Sequence, residues 1–272
     1  MSDSNVGGRK KRSSLNHIFI INGIIHETIS SKLNTPVNLQ VYDYKQMFDS
    51  MNLEESISDL YDSGIKDDTL ALIYKANTNI KVKVKTPYGL SAETRLEKTV
   101  LQGDTWGPTM AANQVDTLGK QLLIENPDYL YKYKGQVPIG ILGMIDDIVG
   151  VSENGIHAMQ LNAFINLKTA EKKLQFGHNK CNTLTVGNKS ATFVETELLI
   201  DHWSEIHDEN GHLIESYEGK VKMNKVNEQK YLGFVISSDG SNMNNIEAKE
   251  KRAIGIIKTI QYLITSLGKY TI

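Results

Sequence analysis

The chain has 272 residues, a length typical of one large domain or of two closely joined domains. Its composition, 40% hydrophobic and 23% charged with 21 Gly and 5 Pro, is that of a globular protein and excludes a disordered or fibrous chain. The 30 Lys and Arg residues nearly balance the 32 Asp and Glu residues. Because the net charge is only −2, total charge does not attract polyanions, and any contact with nucleic acid must be local.

Cysteine usage and apolar runs indicate the cellular compartment. A single cysteine, Cys181, excludes an intramolecular disulfide and a cysteine-rich zinc site, and it favours a reducing compartment. The longest apolar runs, residues 18–25 and 137–145, are far shorter than the about 20 residues that cross a bilayer. Residues 1–12 lack the apolar core of a secretion signal. We therefore expect an intracellular protein that has no membrane partner.

Hydrophobic spacing predicts the first elements. Apolar residues recur every three or four positions over residues 14–33, as on one face of a helix, and Pro36 ends that helix. Residues 37–42 then alternate between apolar and polar side chains. This alternation predicts a half-buried strand that carries Asp43 at its end.

The later elements follow from the same patterns and from turn residues. Asn52 and Glu55 have the spacing of a capping box, and Gly64 suits the far end of the helix that they open. Asp146 and Asp147 lie at the tip of a predicted hairpin. The other predicted elements are, in chain order, a helix over 70–76, a hairpin over 81–100 with one basic face, a helix over 108–124, strands over 130–133, 139–145 and 148–151, a helix over 156–174, strands over 183–186, 197–200 and 231–236, and a helix over 245–267. Since helices and strands alternate irregularly, we expect an α+β fold.

Three acidic residues at predicted strand ends carry the strongest chemical signal. Asp43 follows a strand, and Asp146 and Asp147 lie at a hairpin tip. Ionised carboxylates that are held together repel each other, and a hard divalent cation such as Mg²⁺ relieves that repulsion by accepting their oxygen atoms. A two-metal centre for phosphoryl transfer needs this arrangement. The alternative is that acids in turns are solvated or cap the next element.

Five short motifs follow one another along the chain. They are residues 42–50, which include Asp43, Tyr44 and Phe48; Leu101-Gln102-Gly103-Asp104 with Pro108-Thr109; Met144-Ile145-Asp146-Asp147; Asn179-Lys180; and Tyr231-Leu232-Gly233. In order and spacing they resemble the motifs of the reverse transcriptases of non-LTR, or LINE-like, retrotransposons. The basic segment of residues 9–12, ahead of a helix, resembles part of the fingers of the same enzymes.

The resemblance implies a right-hand polymerase with palm and fingers, in which helices pack on an antiparallel palm sheet. The implied divisions are a partial fingers segment (1–36), a first part of the palm (37–64), a hairpin region of the fingers (65–100), the palm with the remaining motifs (101–240) and the start of a thumb (241–272). An endonuclease or a complete thumb would then lie outside this chain.

The resemblance also implies the site residues and their roles. Asp43 and Asp146 would hold two Mg²⁺ ions, with Mn²⁺ as a substitute, and Asp147 would support them with a smaller share of direct ligation. Lys180 would hold or protonate the leaving pyrophosphate. The nucleotide-binding residues would be Tyr44, Phe48, Gln102, Gly103, Arg9 and Lys10, and the primer grip would be Tyr231, Leu232 and Gly233. The partners would be an RNA template, a DNA primer and dNTPs, in the nucleus or the cytoplasm.

Several residues keep a second interpretation. The resemblance makes Phe48 the residue that excludes a ribonucleotide 2′-hydroxyl, but an aromatic residue on a short helix is usually part of the core. The alternating lysines of residues 81–85 suit a template channel, or they block aggregation at a sheet edge. The basic residues 9–12 suit phosphate contacts or form a flexible arm. We interpret the remaining candidates as structural: His202, His207 and His212 as loop residues, and Cys181 as a small buried strand residue.

Two functions remain open from the sequence. The first is an RNA-directed DNA polymerase that adds dNTPs to a primer 3′-hydroxyl. The rival is a catalytically inactive retroelement fragment that only binds nucleic acid, which the short thumb and near-neutral charge motivate. A polymerase that makes RNA from RNA is disfavoured by Phe48 at the sugar-selecting position.

Overall fold

The computed structural model describes residues 13–30, 36–95, 100, 105–187, 197–207, 213–241 and 243–267. The α-helices in these ranges are α1 (Ser14–Ser30), α2 (Met47–Ser50), α3 (Leu53–Asp62), α4 (Asp67–Asn77), α5 (Gly107–Glu125), α6 (Gly155–Glu171) and α7 (Met243–Leu267), with two short 3₁₀ helices at Pro127–Tyr129 and His178–Lys180. The strands are β1 (Val37–Asp43), β2 (Lys81–Val82), β3 (Lys85–Thr86), β4 (Gly89–Leu90), β5 (Thr94–Arg95), β6 (Tyr131–Tyr133), β7 (Val137–Ile139), β8 (Ile141–Met144), β9 (Asp147–Ser152), β10 (Asn182–Val186), β11 (Leu199–His207), β12 (Leu213–Lys222), β13 (Asn224–Lys225), β14 (Glu228–Tyr231) and β15 (Phe234–Ser237).

A five-stranded sheet lies at the centre of the molecule, with the strand order β13-β10-β1-β9-β8. Neighbouring strands run antiparallel except for β10 and β13, which run parallel. Helix α1 packs its apolar face on one side of the sheet, where Ile21 and Ile24 share a buried cluster with Leu39 and Val41. Helices α5 and α6 pack on the other side. This sandwich of helices around an antiparallel-rich sheet confirms the predicted α+β fold.

The middle strand β1 is buried on both faces, so the prediction of a half-buried strand over residues 37–42 is wrong. Six of its seven residues are buried. Its alternating polar residues have partners inside the protein: Asn38 bonds to Thr183 of β10, and Gln40 and Tyr42 face α6. Gln40 Nε2 donates a hydrogen bond to the carbonyl oxygen of Ala158 at 2.9 Å. The Tyr42 hydroxyl lies 2.5 Å from Gln40 Oε1 and 2.9 Å from Asn162 Oδ1, so these polar groups are satisfied inside the protein.

Two asparagines of α6 attach the β11–β12 hairpin to the core. Asn162 Nδ2 and Asn166 Nδ2 donate to the carbonyl oxygen of Leu199 at 2.7 and 3.0 Å. Asn166 Oδ1 accepts a hydrogen bond from the backbone N–H of Asp201 at 3.2 Å. The side chains of α6 therefore bind the backbone of β11 as a neighbouring strand would.

Most of the predicted helices are confirmed. α1, α4, α5, α6 and α7 match their predicted positions, although Ser30 is the last helical residue of α1 and residues 31–35 lie outside the described ranges. Asn52 caps α3, because its Oδ1 accepts from the N–H groups of Glu54 and Glu55 at 2.9 and 3.2 Å. Gly64 ends that helix with φ of +95°, a conformation that favours glycine.

Several strand predictions need correction. The predicted strand over 139–145 is divided at Gly140 between β7, which pairs with β6, and β8, which pairs with β9. The predicted strand over 231–236 is two strands, β14 and β15, joined by a tight turn. The predicted strand over 197–200 extends to His207 and pairs with β12.

The basic hairpin exists but its strands are short. β2 pairs with β5 and β3 with β4, each over two residues, and residues 96–99 lie outside the described ranges. The Glu93 carboxylate forms an ion pair with Lys81 at 2.7 Å, and Lys83 lies 3.9 Å from the same carboxylate. The basic face is therefore partly neutralised.

His202 and His207 lie in β11, so their interpretation as loop residues is wrong. The misassignment follows from the polar sequence of this strand, which has little apolar alternation. His212 lies outside the described residues.

Asn162 tests the polar contacts behind β1. We expect Asn162→Ala to lower the free energy of unfolding by about 1–3 kcal/mol, because buried hydrogen-bonding groups of Tyr42 and Leu199 lose a partner. Urea denaturation measures this change. The exposed Asn224 offers a control, since Asn224→Ala should cost less than about 0.5 kcal/mol. Equal losses in the two variants would show that the buried contacts contribute nothing specific.

Candidate functional site

Two predicted site residues face each other on neighbouring strands. Asp43 is the last residue of β1 and Asp147 the first residue of β9, and their Cα atoms are partners in the antiparallel register. Met144 is also a register partner of Asp147, so Ile145 and Asp146 form the turn between β8 and β9. The structure therefore brings all three acidic residues to one edge of the central sheet, as the hairpin prediction requires.

Ile145 holds the tip of this hairpin in an uncommon conformation. Its φ is +62°, a left-handed value that β-branched residues rarely adopt. Its side chain is half-buried and packs against the larger core cluster. Such strain persists where the surroundings fix it, and it is often found at functional sites. The turn that carries Asp146 is thus held by packing and not by local preference.

Lys180 lies beside Asp43. Its Nζ donates to Asp43 Oδ2 at 3.1 Å, and this contact, followed by the more distant charges of Asp146 and Asp147, raises the pKa of Lys180. The ammonium group is mostly exposed. The structure therefore joins the predicted fourth motif to the first.

The segment before Lys180 wraps closely around Asp43. The backbone N–H of Gly177 donates to the carbonyl oxygen of Asp43 at 2.8 Å, and that of Lys45 donates to Gln175 at 2.8 Å. A Cβ atom on Gly177 would lie 3.4 Å from Asp43 Oδ2. Gly177 is therefore in contact with the Asp43 side chain, and Lys180 follows three residues later.

Cys181 contacts the backbone of Asp43 from the buried side. Its Sγ accepts a hydrogen bond from the backbone N–H of Asp43 at 3.4 Å. Burial raises the pKa of the thiol to about 11, so it stays protonated at neutral pH. The prediction of a small buried residue is confirmed, although Cys181 immediately precedes β10 and is not part of it.

The carboxylates crowd negative charge into a partly buried place. Burial, followed by the charges of Asp146 and Asp43, raises the pKa of Asp147 to about 6, and the nearby ammonium of Lys180 only partly offsets this. A bound cation would remove the same penalty. Oxygen donors of this kind are those that Mg²⁺ prefers, so the donor set fits that ion chemically.

The same residues do not form a complete metal cage. Within the described ranges, no group of three or more His, Cys, Asp or Glu side chains is arranged to hold a metal ion. Asp43 and Asp147 instead offer two carboxylates side by side on paired strands. Mg²⁺ at phosphoryl-transfer sites is commonly bound by one or two carboxylates, with substrate phosphates and waters as the other ligands.

A polar pocket of about 310 Å³ contains this edge of the sheet. Asp43, Asp147 and Lys180 line one side of it, and Gln229, Lys230, Tyr231 and Leu232 line another. A larger cavity of about 500 Å³ lies between α1, α5 and β7–β8, but its lining is apolar apart from Tyr133. We therefore locate the candidate site at the smaller pocket, where the ionisable groups are.

The predicted primer-grip residues form the turn of the β14–β15 hairpin. Tyr231 pairs with Phe234, which leaves Leu232 and Gly233 as the two turn residues, with φ of +48° and +83°. Asn182 Nδ2 donates to Gln229 Oε1 at 2.9 Å and ties this hairpin to β10. Tyr231 and Leu232 of the fifth motif therefore line the same pocket as Asp43 and Asp147.

Of the predicted nucleotide-binding residues, the structure describes only Tyr44 and Phe48, and both pack in or against the core. Tyr44 is buried, stacks on Phe176 with ring centroids 4.8 Å apart, and has its pKa raised to about 12 by burial. Phe48 is half-buried and packs against the core. Gln102, Gly103, Arg9 and Lys10 lie outside the described residues.

The sequence did not single out Asn182, Gln229 and Lys230. Asn182 is the second residue after Lys180, and Gln229 and Lys230 directly precede the fifth motif. In the sequence, only their positions beside the fourth and fifth motifs indicate a role at the site. Polar residues on short strands have no distinctive spacing of their own.

Comparisons with known proteins show the fold. No protein-family model matches the sequence, and no curated protein matches it. Among solved structures, telomerase from Candida tropicalis in complex with the TWJ fragment of telomeric RNA is similar, with a TM-score of 0.54 at 13% identity over 86% of this chain and 33% of that one. Apo telomerase from the same organism has a TM-score of 0.50 at 13% identity, over 86% and 36% of the two chains.

These neighbours show a reverse-transcriptase-like, right-hand polymerase fold. This confirms the predicted fold class. The chain spans only about a third of the length of the telomerase structures that it matches. In the described part of the chain, no helix is long and apolar enough to cross a membrane.

The raised pKa of Asp147 predicts a pH-dependent stability. The unfolded carboxyl has a pKa near 3.8 and the folded one about 6, so the folded protein binds a proton more tightly. This contribution to stability is complete below the unfolded pKa and is lost as pH rises through the folded pKa. Asp147→Asn removes the ionisation, and we expect its melting temperature to exceed that of the wild type at pH 8 but not at pH 4.

Thermal unfolding in EDTA at both pH values measures this difference. The exposed Asp128 supplies the control, since Asp128→Asn should leave the pH dependence unchanged. A variant Asp147→Asn that is less stable than the wild type at pH 8 would contradict the assigned charge crowding.

Proposed function

We propose that the chain is the palm-containing part of an RNA-directed DNA polymerase that adds dNTPs to the 3′-hydroxyl of a primer on an RNA template. The observation that carries this proposal is the register pairing of Asp43 with Asp147, with Asp146 in the adjoining turn, in a right-hand polymerase fold. The order of the five motifs supports the narrower assignment to a non-LTR retrotransposon.

The acidic residues would bind the catalytic ions. Two Mg²⁺ ions, or Mn²⁺ in their place, would activate the primer 3′-hydroxyl and stabilise the charge that develops on the transferred phosphate. Asp43 and Asp147 would supply carboxylate oxygens from paired strands, and Asp146 would supply another from the turn between β8 and β9. The backbone carbonyl of Tyr44 would add a neutral oxygen, since its side chain is committed to the stack on Phe176.

Lys180 would act at the leaving group. Its ammonium is mostly exposed and lies 3.1 Å from Asp43, so a diphosphate bound beside the carboxylates would be within its reach. It would hold that negative charge or donate a proton to it. The ion pair with Asp43 keeps the amine protonated, because that contact raises its pKa.

The other predicted residues would bind substrates. The Leu232–Gly233 turn would support the primer terminus from the opposite side of the pocket. Gln102 and Gly103 would pack on the incoming base pair, while Arg9 and Lys10 would neutralise the triphosphate or the template backbone.

Primer extension tests the polymerase directly. We expect the purified chain with MgCl₂ and dNTPs to extend a DNA primer on an RNA template, and Asp146→Asn to reduce extension by at least about a thousandfold while thermal stability is retained. Asp128→Asn, an equivalent change at an exposed acid, should extend normally. Extension by Asp146→Asn at the wild-type rate would refute the two-metal assignment.

The rival function is a catalytically inactive fragment that only binds nucleic acid. One observation favours it: Lys180 already forms an ion pair with Asp43, one of the carboxylates that would hold the ions. In that case the wild-type chain would bind primed RNA but would not extend the primer with either Mg²⁺ or Mn²⁺. Binding measured beside extension separates the two functions.

Phe48 tests sugar selection. The resemblance places this side chain beneath the sugar of the incoming nucleotide, where its bulk would exclude a 2′-hydroxyl. We expect Phe48→Val to raise the ratio of ribonucleotide to deoxynucleotide incorporation by about tenfold or more, with little change for deoxynucleotides. Single-nucleotide extension with each substrate measures the ratio. An unchanged ratio would assign Phe48 to the core alone, since it is half-buried there.

A further inference from the structure

The β14–β15 hairpin needs support from elsewhere in the molecule. Its strands have four residues each and form a two-stranded sheet apart from the central one. Two short strands alone are at best marginally stable. The turn also places Leu232 at φ of +48°, which a leucine rarely adopts. Something outside the ladder must therefore hold the turn at the pocket.

Helix α1 is the platform beneath this hairpin. Tyr231 and Ile236 belong to the same buried cluster as Ile21 and Ile25 of α1. At the other end of β15, a Cβ atom on Gly240 would come within 2.6 Å of Ile29 Cδ1, so the chain crosses α1 in close contact. The hairpin therefore meets α1 at Tyr231 and near Gly240.

One polar contact fixes the hairpin on this apolar platform. The Tyr231 hydroxyl and His17 Nδ1 are 3.3 Å apart, and both side chains are buried. Apolar packing is non-directional and tolerates sliding, whereas a buried hydrogen bond is satisfied in one position only. Tyr231 immediately precedes the turn at the pocket. A contact at this residue therefore sets where Leu232 and Gly233 lie relative to the acidic residues.

We infer that His17 and Tyr231 are positioning residues, whose buried hydrogen bond holds the Leu232–Gly233 turn at the primer side of the pocket. This inference rests on the proposed polymerase function. The Tyr231 side chain is buried and its hydroxyl lies beside His17, so the primer would meet the turn and not the end of this side chain. It acts through the backbone of the turn that follows it. The substrate that depends on it is the primer–template duplex and not the dNTP.

The chain contains a matched control for this contact. Tyr131 of β6 also lies in the cluster on α1, and its hydroxyl donates to Glu27 of the same helix at 3.0 Å. The pocket with the acidic residues is not lined by Tyr131. Tyr131→Phe and Tyr231→Phe thus each remove one hydrogen bond between a tyrosine hydroxyl and α1. Only Tyr231 is adjacent to the turn.

Steady-state extension separates positioning from general stability. We expect Tyr231→Phe to raise KM for primed template roughly three- to tenfold, with kcat and the KM for dNTP unchanged within about twofold. Tyr131→Phe should leave all three constants unchanged. Equal effects of the two variants, or a loss confined to kcat, would overturn the inference, because a merely structural role lowers the amount of active protein.

A double-mutant cycle tests whether the two residues act as a pair. His17→Leu alone should raise the KM for primed template as Tyr231→Phe does, and the combined variant should be no worse than either single one. Additive effects would overturn the pairing.

Backbone amide exchange in the absence of nucleic acid tests the inference independently of catalysis. We expect the amides of the paired strands β14 and β15, which meet at Tyr231 and Phe234, to exchange faster in Tyr231→Phe than in the wild type, and at the wild-type rate in Tyr131→Phe. If the wild type neither binds nor extends a primer, the proposed function fails while the exchange result still decides the positioning role. Unchanged exchange in Tyr231→Phe would overturn that role.

Discussion

The register between β1 and β9 is the constraint on which the rest of the site depends. It places Asp43 opposite Asp147 and leaves Asp146 in the turn that follows β8. A slip by one residue would turn every side chain of β1 to the opposite face of the sheet. Gln40 and Tyr42 would then meet the apolar residues of α1, and their polar groups would lose their partners on α6. The polar half of β1 therefore protects the geometry of the carboxylates.

Two destabilising features, crowded carboxylates and a strained backbone, lie together at one edge of a well-packed sheet. Asp147 is partly buried beside two other acids, and Ile145 adopts a strained backbone conformation in the same turn. Neither feature benefits the fold by itself. Both are held by the packed sheet and by α5 and α6 around it. Local conflicts of this kind, within an otherwise consistent structure, are characteristic of sites that are kept for function.

Periodic patterns made much of this structure predictable. The strand that ends at Asp43 and the hairpin tip with Asp146 and Asp147 follow from local alternation and spacing. The long helices follow from their apolar stripes for the same reason. These features depend on neighbours within a few residues, and the sequence shows those neighbours directly.

What the sequence could not show depends on distant partners. The polar face of β1 reads as solvent-exposed because its partner Asn162 comes 120 residues later than Tyr42. The apolar run over 231–236 reads as one strand, since Leu232 gives no sign that it adopts a left-handed turn conformation. The break at Gly140 has no local signal either, because it depends on the partner of each half: β7 pairs with β6, and β8 pairs with β9.

The two sides of the pocket are joined by different kinds of interaction. Backbone hydrogen bonds of one continuous sheet connect Asp43 to Asp147. The β14–β15 hairpin lies outside that sheet, and side chains connect it to its surroundings: Gln229 to Asn182 of β10, and Val235 to Asn245 of α7, whose amide both donates to and accepts from the backbone at 2.7 Å.

The two kinds of interaction respond differently to amino-acid substitution. A backbone ladder is insensitive to most substitutions, so the spacing of the acidic residues is robust. Side-chain contacts change with single substitutions, so the position of the hairpin relative to the carboxylates is more sensitive to mutation. Changes on that side of the pocket would alter how substrate is held and leave the acidic edge in place.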